Sequence, residues 1–125
     1  MDWQFDGNLP IYTQIVYKYR LSIASGELKP GEKLAAVRDI AFQAGVNPNT
    51  MQRAFQELER LGLVYTQRSS GRFVTEDMSV ISETREKLAE EFVGRFMKSM
   101  SGLGINKEQI VEMIRNEGAK QNGNS

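Results

Sequence analysis

The apolar positions of the chain change period several times, and each change marks an element. The clearest stretch runs from Val46 to Leu61, where Met51, Ala54, Phe55, Leu58 and Leu61 recur at helical spacing. At about 100° per residue, the opposite side carries Asn49, Gln52, Arg53, Gln56 and Arg60, with no apolar residue among them. Asn47 suits the N-cap, where its side-chain oxygen can take an otherwise unpaired amide, and Pro48 suits the first helical position. Upstream, Ile11, Ile15, Val16, Tyr19 and Ile23 line one side of a first helix over 11–25, closed by Gly26. Lys29-Pro30-Gly31-Glu32 has the residue order of a type II turn. A short helix over 36–44 follows, with Val37, Ile40 and Ala41 inward. Only Gly45, Val46 and Asn47 separate it from the next helix, which forces a sharp turn between two packed helices. Beyond Gly62, residues 63–67 and 72–75 read as two strands around the polar tip Arg68-Ser69-Ser70-Gly71. A helix, a helix-turn-helix and a hairpin make a winged helix-turn-helix domain over residues 1–76. Its N-terminal arm is extended, with Trp3 and Phe5 alternating with polar neighbours.

The remainder has a different pattern. From about Val80 to Ser101, Ile81, Leu88, Phe92, Phe96 and Met100 form one stripe that continues to Leu103 and is widened by Val93 and Met97. Ser79 or Ser82 is placed to cap this helix, and Ser101-Gly102-Leu103-Gly104 breaks it. Asn106 and Gln109 then form a capping-box pattern, with Ile105 and Ile110 placed as a hydrophobic staple. The last helix is expected to run to about Glu117 and stop at Gly118, leaving 119–125 as a disordered polar tail. Residues 77–118 thus read as a two-helix region whose stripe is wider than one short partner helix covers. Dimerisation is the economical outlet, through Ile81, Leu88, Phe92, Val93, Phe96, Met97, Met100, Leu103, Ile110 and Ile114. The expected fold class is mainly α with a small β-wing.

Composition removes whole classes of function. A chain of 125 residues with 40% apolar content fills one domain and a small appendage. It has no cysteine and no histidine, so thiolate chemistry, the commonest general base and tight zinc sites are all missing. No cofactor or metal is expected, and carboxylates such as Glu90 and Glu91 lack a convergent partner, so an enzyme is not expected. Neither a signal peptide nor a membrane span is legible, which points to a cytoplasmic protein. Overall charge is balanced at 16 basic and 16 acidic residues, but between Lys29 and Phe73 seven basic residues face four acidic ones. That weak positive footprint coincides with the amide-bearing helix. Amides suit the paired donor and acceptor of an adenine edge, and arginine suits guanine or phosphate.

Several linked stretches carry a resemblance. They are Ile11-Tyr12-Thr13-Gln14-Ile15, Ser25-Gly26-Glu27-Leu28-Lys29-Pro30-Gly31-Glu32-Lys33-Leu34, Val37-Arg38-Asp39-Ile40-Ala41, Val46-Asn47-Pro48-Asn49-Thr50, Arg53-Ala54-Phe55, Leu58-Glu59 and Gly71-Arg72-Phe73-Val74. In this order, residues 11–74 resemble a GntR-family transcription regulator, and specifically its YtrA-like branch, which carries a short two-helix tail. Ala35-Ala36 stand where the family has Pro-Ser, removing a hydroxyl cap that is worth about 1 kcal/mol. Ser69-Ser70 stand where the family's wing tip has glycine, which permits a closer backbone approach.

The resemblance implies double-stranded DNA contacts at Arg38, the first turns of the long helix and the wing: Arg68, Ser69, Ser70, Gly71 and Arg72. Physical chemistry agrees for the helices. Arg38 can reach a phosphate, Asn47, Asn49 and Thr50 sit at a positive helix end, and Gln52 and Arg53 point outward toward base edges. The expected function is a homodimeric repressor on a two-fold operator, with operator sequence and any small-molecule effector not readable. A winged helix used for protein–protein assembly is the alternative. It would call for an apolar outer face over residues 49–60, where polar residues stand.

Overall fold

The order of elements in the computed structural model, which describes residues 1–123 and the side chains of 1–120, follows the hydrophobic pattern closely. They are α1 (Ile11–Ser25), α2 (Val37–Ala44), α3 (Pro48–Arg60), β1 (Val64–Gln67), β2 (Gly71–Val74), α4 (Met78–Gly102) and α5 (Lys107–Gly123). The α2–α3 turn depends on Gly45, whose φ of 67° lies in the left-handed region that a side chain disfavours. Its amide and that of Val46 close the end of α2 on the carbonyls of Phe42 and Ala41. α3 packs against both earlier helices. Met51, Ala54, Phe55 and Leu58 lie fully buried among Ile15, Tyr19, Ile23, Ile40 and Ala41. Burial of each large side chain contributes about 1.5–3 kcal/mol, so α3 is fixed by its inner face and free to vary on its outer one. The arm is irregular rather than a strand, and Trp3 lies 6.0 Å from the ring of Tyr19 and 6.1 Å from that of Phe5.

The wing is an antiparallel pair in the register Val64↔Val74 to Gln67↔Gly71. A further rung comes from the segment before α2. Lys33 bridges to Phe73, the Leu34 amide donates to the Arg72 carbonyl at 2.9 Å, and the Val74 amide donates to the Glu32 carbonyl at 2.9 Å. The Pro-Gly turn, closed by the Glu32 amide on the Lys29 carbonyl at 3.0 Å, directs this segment along β2. Wing and helix-turn-helix are therefore joined by backbone hydrogen bonds.

Two compact units divide the chain at Lys87 and Leu88, later than the expected boundary at residue 76. The difference lies in α4. Ile81, read from sequence as a dimer contact, is only 3% exposed and belongs to the core of the first unit. Its helical phase put it on the tail stripe, but the hairpin brings the start of α4 back onto the first core. Arg85 donates to the Ala24 carbonyl at 3.2 Å in the same unit. The cap of α4 is Asp77 rather than Ser79 or Ser82, accepting from the Ser79 amide at 3.0 Å.

In the second unit the capping box forms as expected: Asn106 and Gln109 exchange side-chain-to-amide hydrogen bonds of 2.9 Å each. α5 does not stop at Gly118 but continues to Gly123, so residues 119–123 are helical rather than a disordered tail. An exposed mid-helix glycine costs only about 1 kcal/mol relative to alanine, and Ala119, Lys120 and a Lys120–Glu117 ion pair at 3.9 Å favour continuation. The rest of the expected tail, 124–125, lies outside the described residues. Among the described residues no helix is long and apolar enough to cross a membrane.

Candidate nucleic-acid interface

The first turn of α3 is built by its own sequence. The Asn47 side chain accepts from the Asn49 amide at 2.8 Å, and Pro48 occupies the position where no N–H is missed. Asn49, Arg53, Gln56 and Arg60 are exposed along the outer face, while Thr50 and Gln52 are half-buried at its sides. Arg60 is bound to Glu57 through its Nε at 2.8 Å, and that pairing holds the Glu57 carboxyl below the usual range. Arg53 lies over the ring of Tyr12, 4.3 Å from its centroid.

At the start of α2, Ala36 provides no side-chain cap, as its missing hydroxyl requires. The amides of Val37 and Arg38 have no carbonyl one turn earlier to bind. Arg38 is exposed at this same end. Facing it is an open concavity of about 820 Å³ lined by Lys33, Arg38, Gln52, Thr66, Ser70 and Gly71, among others. Three elements remote in sequence thus meet around one hollow, with Lys33 and Arg38 and one carboxylate, Asp39, on its lining. Lys33 was not singled out from sequence. Its signal was the register of the segment before α2, which only the bridge to Phe73 reveals.

At the wing tip, Arg68, Ser69 and Ser70 are exposed, with the Ser70 amide closing the turn on the Gln67 carbonyl at 3.1 Å. Ser69 adopts a φ of 68°, a conformation glycine would take at less cost. Gly71 is favoured by its backbone conformation first and by a close neighbour second. Its φ is 112°, and a Cβ there would come within 3.2 Å of the Lys33 side chain.

Arg72 is placed differently from Arg68. Its Nε donates to Glu59 at 2.8 Å and its guanidinium lies 5.5 Å from the Phe55 ring centroid. The Thr66 hydroxyl donates to the same carboxylate. Arg72 thus points in toward α3 and fastens the wing to it. Thr66 first, and then Arg72, hold the Glu59 carboxyl below the usual carboxylate range. A depressed folded-state value gives stability that is present above the unfolded range, about pH 4.3, and lost as pH falls through the folded value. Glu59→Gln is therefore expected to cost about 1 kcal/mol at pH 7, given the partial exposure. The difference from wild type should vanish in acid, which paired thermal melts at neutral and acid pH will check.

In the second unit, Leu88 and Ile110 are buried within the single chain and so unavailable to a partner, contrary to expectation. Phe92, Val93, Phe96, Leu103 and Ile114 are exposed, and Met97 and Met100 are half-buried. Val111 and Met113 add to this apolar surface. Leu103 reaches 74% exposure and Val93 58%, high values for side chains of this type.

Residues 11–74 match the family model of bacterial regulatory proteins of the gntR family. The chain is 44% identical over 115 residues to the HTH-type transcriptional regulator YhcF of Bacillus subtilis, covering 92% of this chain and 95% of that one. It is 31% identical over 115 residues to the HTH-type transcriptional repressor YtrA of the same organism, covering 91% and 88%. Among solved structures, a GntR family transcriptional regulator from Listeria monocytogenes superposes with a TM-score of 0.82 at 40% identity, covering 90% and 98%. The AraR DNA-binding domain, in complex with operator ORR3, superposes with a TM-score of 0.51 at 28% identity, covering 60% and 88%. The chain is a member of the GntR family of bacterial regulatory proteins and belongs to its YtrA-like branch.

Proposed function

We propose that this DNA-binding regulator is a homodimeric repressor that occupies a two-fold symmetric operator and so blocks a promoter, acting in the cytoplasm. The observation that carries this reading is the hollow where the uncapped start of α2, the polar side of α3 and the wing converge beneath Lys33 and Arg38. The first turns of α3 enter the major groove, where Asn49 and Gln52 present amides to base edges. Arg38 and the free amides of α2 take a backbone phosphate, since a helix start carries partial positive charge as well as unpaired donors. Arg68, Ser69, Ser70 and Gly71 follow the adjacent backbone, and Asn47 and Thr50 hold the entrance of α3. Arg72 serves as the tie between wing and α3. The repressor name of YtrA and the operator complex of AraR support the same reading. Homodimerisation rests on the apolar surface of Phe92, Phe96, Leu103 and Ile114, which the single chain leaves open.

Affinity for duplex DNA should fall steeply with salt, because each neutralised phosphate releases counterions. Arg38→Ala is expected to weaken binding to all sequences alike by about 1.5–3 kcal/mol. Titrations at two salt concentrations against selected and scrambled duplexes provide the measurement. Salt-insensitive binding, or an unchanged Arg38→Ala variant, would remove the proposed phosphate contact.

A further inference from the structure

Resting on that DNA-binding reading, we infer that Tyr12 is a positioning residue for Arg53, and that the two form a phosphate anchor on the α1 flank of α3. Arg53 then grips the DNA backbone rather than reading a base. Tyr12 is the second residue of α1, half-buried and packed against the core cluster, so its ring is a fixed platform. The Arg53 guanidinium carbon lies over the ring, 4.3 Å from its centroid, close enough for charge–quadrupole attraction.

The placement around α3 says what this platform does. At about 100° per residue, Asn49, Gln56 and Arg60 sit at the centre of the outer face. Gln52 and Glu59 lie to one side, and Arg53 and Glu57 to the other. Glu59 is tied to Arg72 and Thr66, which identifies its side as the wing side. Tyr12 beneath Arg53 identifies the opposite side as the α1 side. A recognition helix in the major groove meets base edges with side chains that project from its outer face, and the bordering phosphates with those drawn back toward neighbouring elements. Lying over Tyr12, Arg53 is drawn back toward α1.

The contact also suits phosphate chemistry. A ring has no lone pair to take up the guanidinium donors, so the N–H groups that point away from it stay open to phosphate oxygens. It restricts a side chain rich in rotamers before DNA arrives, and so lowers the ordering cost of contact. Arg60, on the outer face one turn or more beyond, is already bound by Glu57. Arg53 lies over a ring instead, and its charge is offered to the backbone.

The test uses the full chain, a mixed-sequence duplex and the tightest duplex that the wild-type chain selects from a random pool. Arg53→Ala should weaken both duplexes by the same factor and lower the salt slope by about one per protomer. Tyr12→Leu should weaken both by about two- to fivefold, the equivalent of losing an exposed cation–π contact. Tyr12→Phe, which keeps the ring, should bind as wild type. In the Arg53→Ala background, Tyr12→Leu should have no further effect, because its only route to DNA has gone. A Tyr12→Leu loss that persists there would mark a merely structural role and overturn the inference. So would wild-type binding by Tyr12→Leu, or an Arg53→Ala loss confined to the selected duplex. A wild-type chain with no salt-sensitive binding to either duplex overturns the DNA-binding reading itself, and this inference with it.

Discussion

Phe96→Glu is expected to yield a monomer that keeps its helical content and loses tight operator binding. Phe96 is 41% exposed in the single chain, with Phe92 on α4, Leu103 just after it and Ile114 on α5 also open. A glutamate there remains hydrated in the monomer, so the fold should tolerate it. In a dimer that covers this surface, the same carboxylate would lose water without gaining a partner, at a cost of several kcal/mol. Operator binding suffers next, because two linked recognition helices bind far more tightly than either alone. Sedimentation and circular dichroism separate the two consequences, and duplex titration reads the third. A variant that sediments as a dimer would move the interface elsewhere, and a monomeric wild type would remove the dimer from the proposal.

The helices were legible because burial imposes a period on them. Met51, Ala54, Phe55 and Leu58 repeat at the helical interval, and the outer face of α3 follows by geometry alone. Asn47 and Pro48 marked its start, and the Asn106–Gln109 capping box marked that of α5. What escaped depends on contacts between segments far apart in sequence. The hairpin register puts Thr66 and Arg72 opposite each other on the side facing α3, where Glu59 binds both. Read as a wing residue only, Arg72 looks as free as Arg68. Ile81 continues the helical phase of Leu88 and Phe92, yet it is claimed by the first core because the chain after β2 returns there. Lys33 and Tyr12 acquire their places from pairing with Phe73 and lying under Arg53, neither of which leaves a local pattern. Gly118 was misread as a stop because a single glycine penalty is smaller than the cooperative gain of continuing a helix.

Phe55→Ala should destabilise the first unit by about 3–5 kcal/mol, the usual cost of emptying a fully buried aromatic site. Phe55 has no exposed surface and meets the edge of Tyr19 at 4.9 Å between centroids. Its ring also lies under the guanidinium of Arg72, so the residue touches α1 and the wing tie at once. Deleting it removes dispersion contacts, the aromatic pair and the support of Arg72 together, and backbone shifts can refill only part of the gap. For a domain of this size the loss corresponds to a fall in melting temperature of roughly 10 °C or more. Against a total stability of about 5–15 kcal/mol, a sizeable unfolded fraction follows at elevated temperature, and duplex binding falls in proportion. Phe55→Leu, which keeps most of the apolar volume, should recover much of the stability. Thermal and denaturant melts of both variants measure this. A Phe55→Ala protein within about 1 kcal/mol of wild type, well below the usual cost, would show that α3 is held by something other than its buried face. The assignment of its outer face to DNA would then lose the structural ground it stands on.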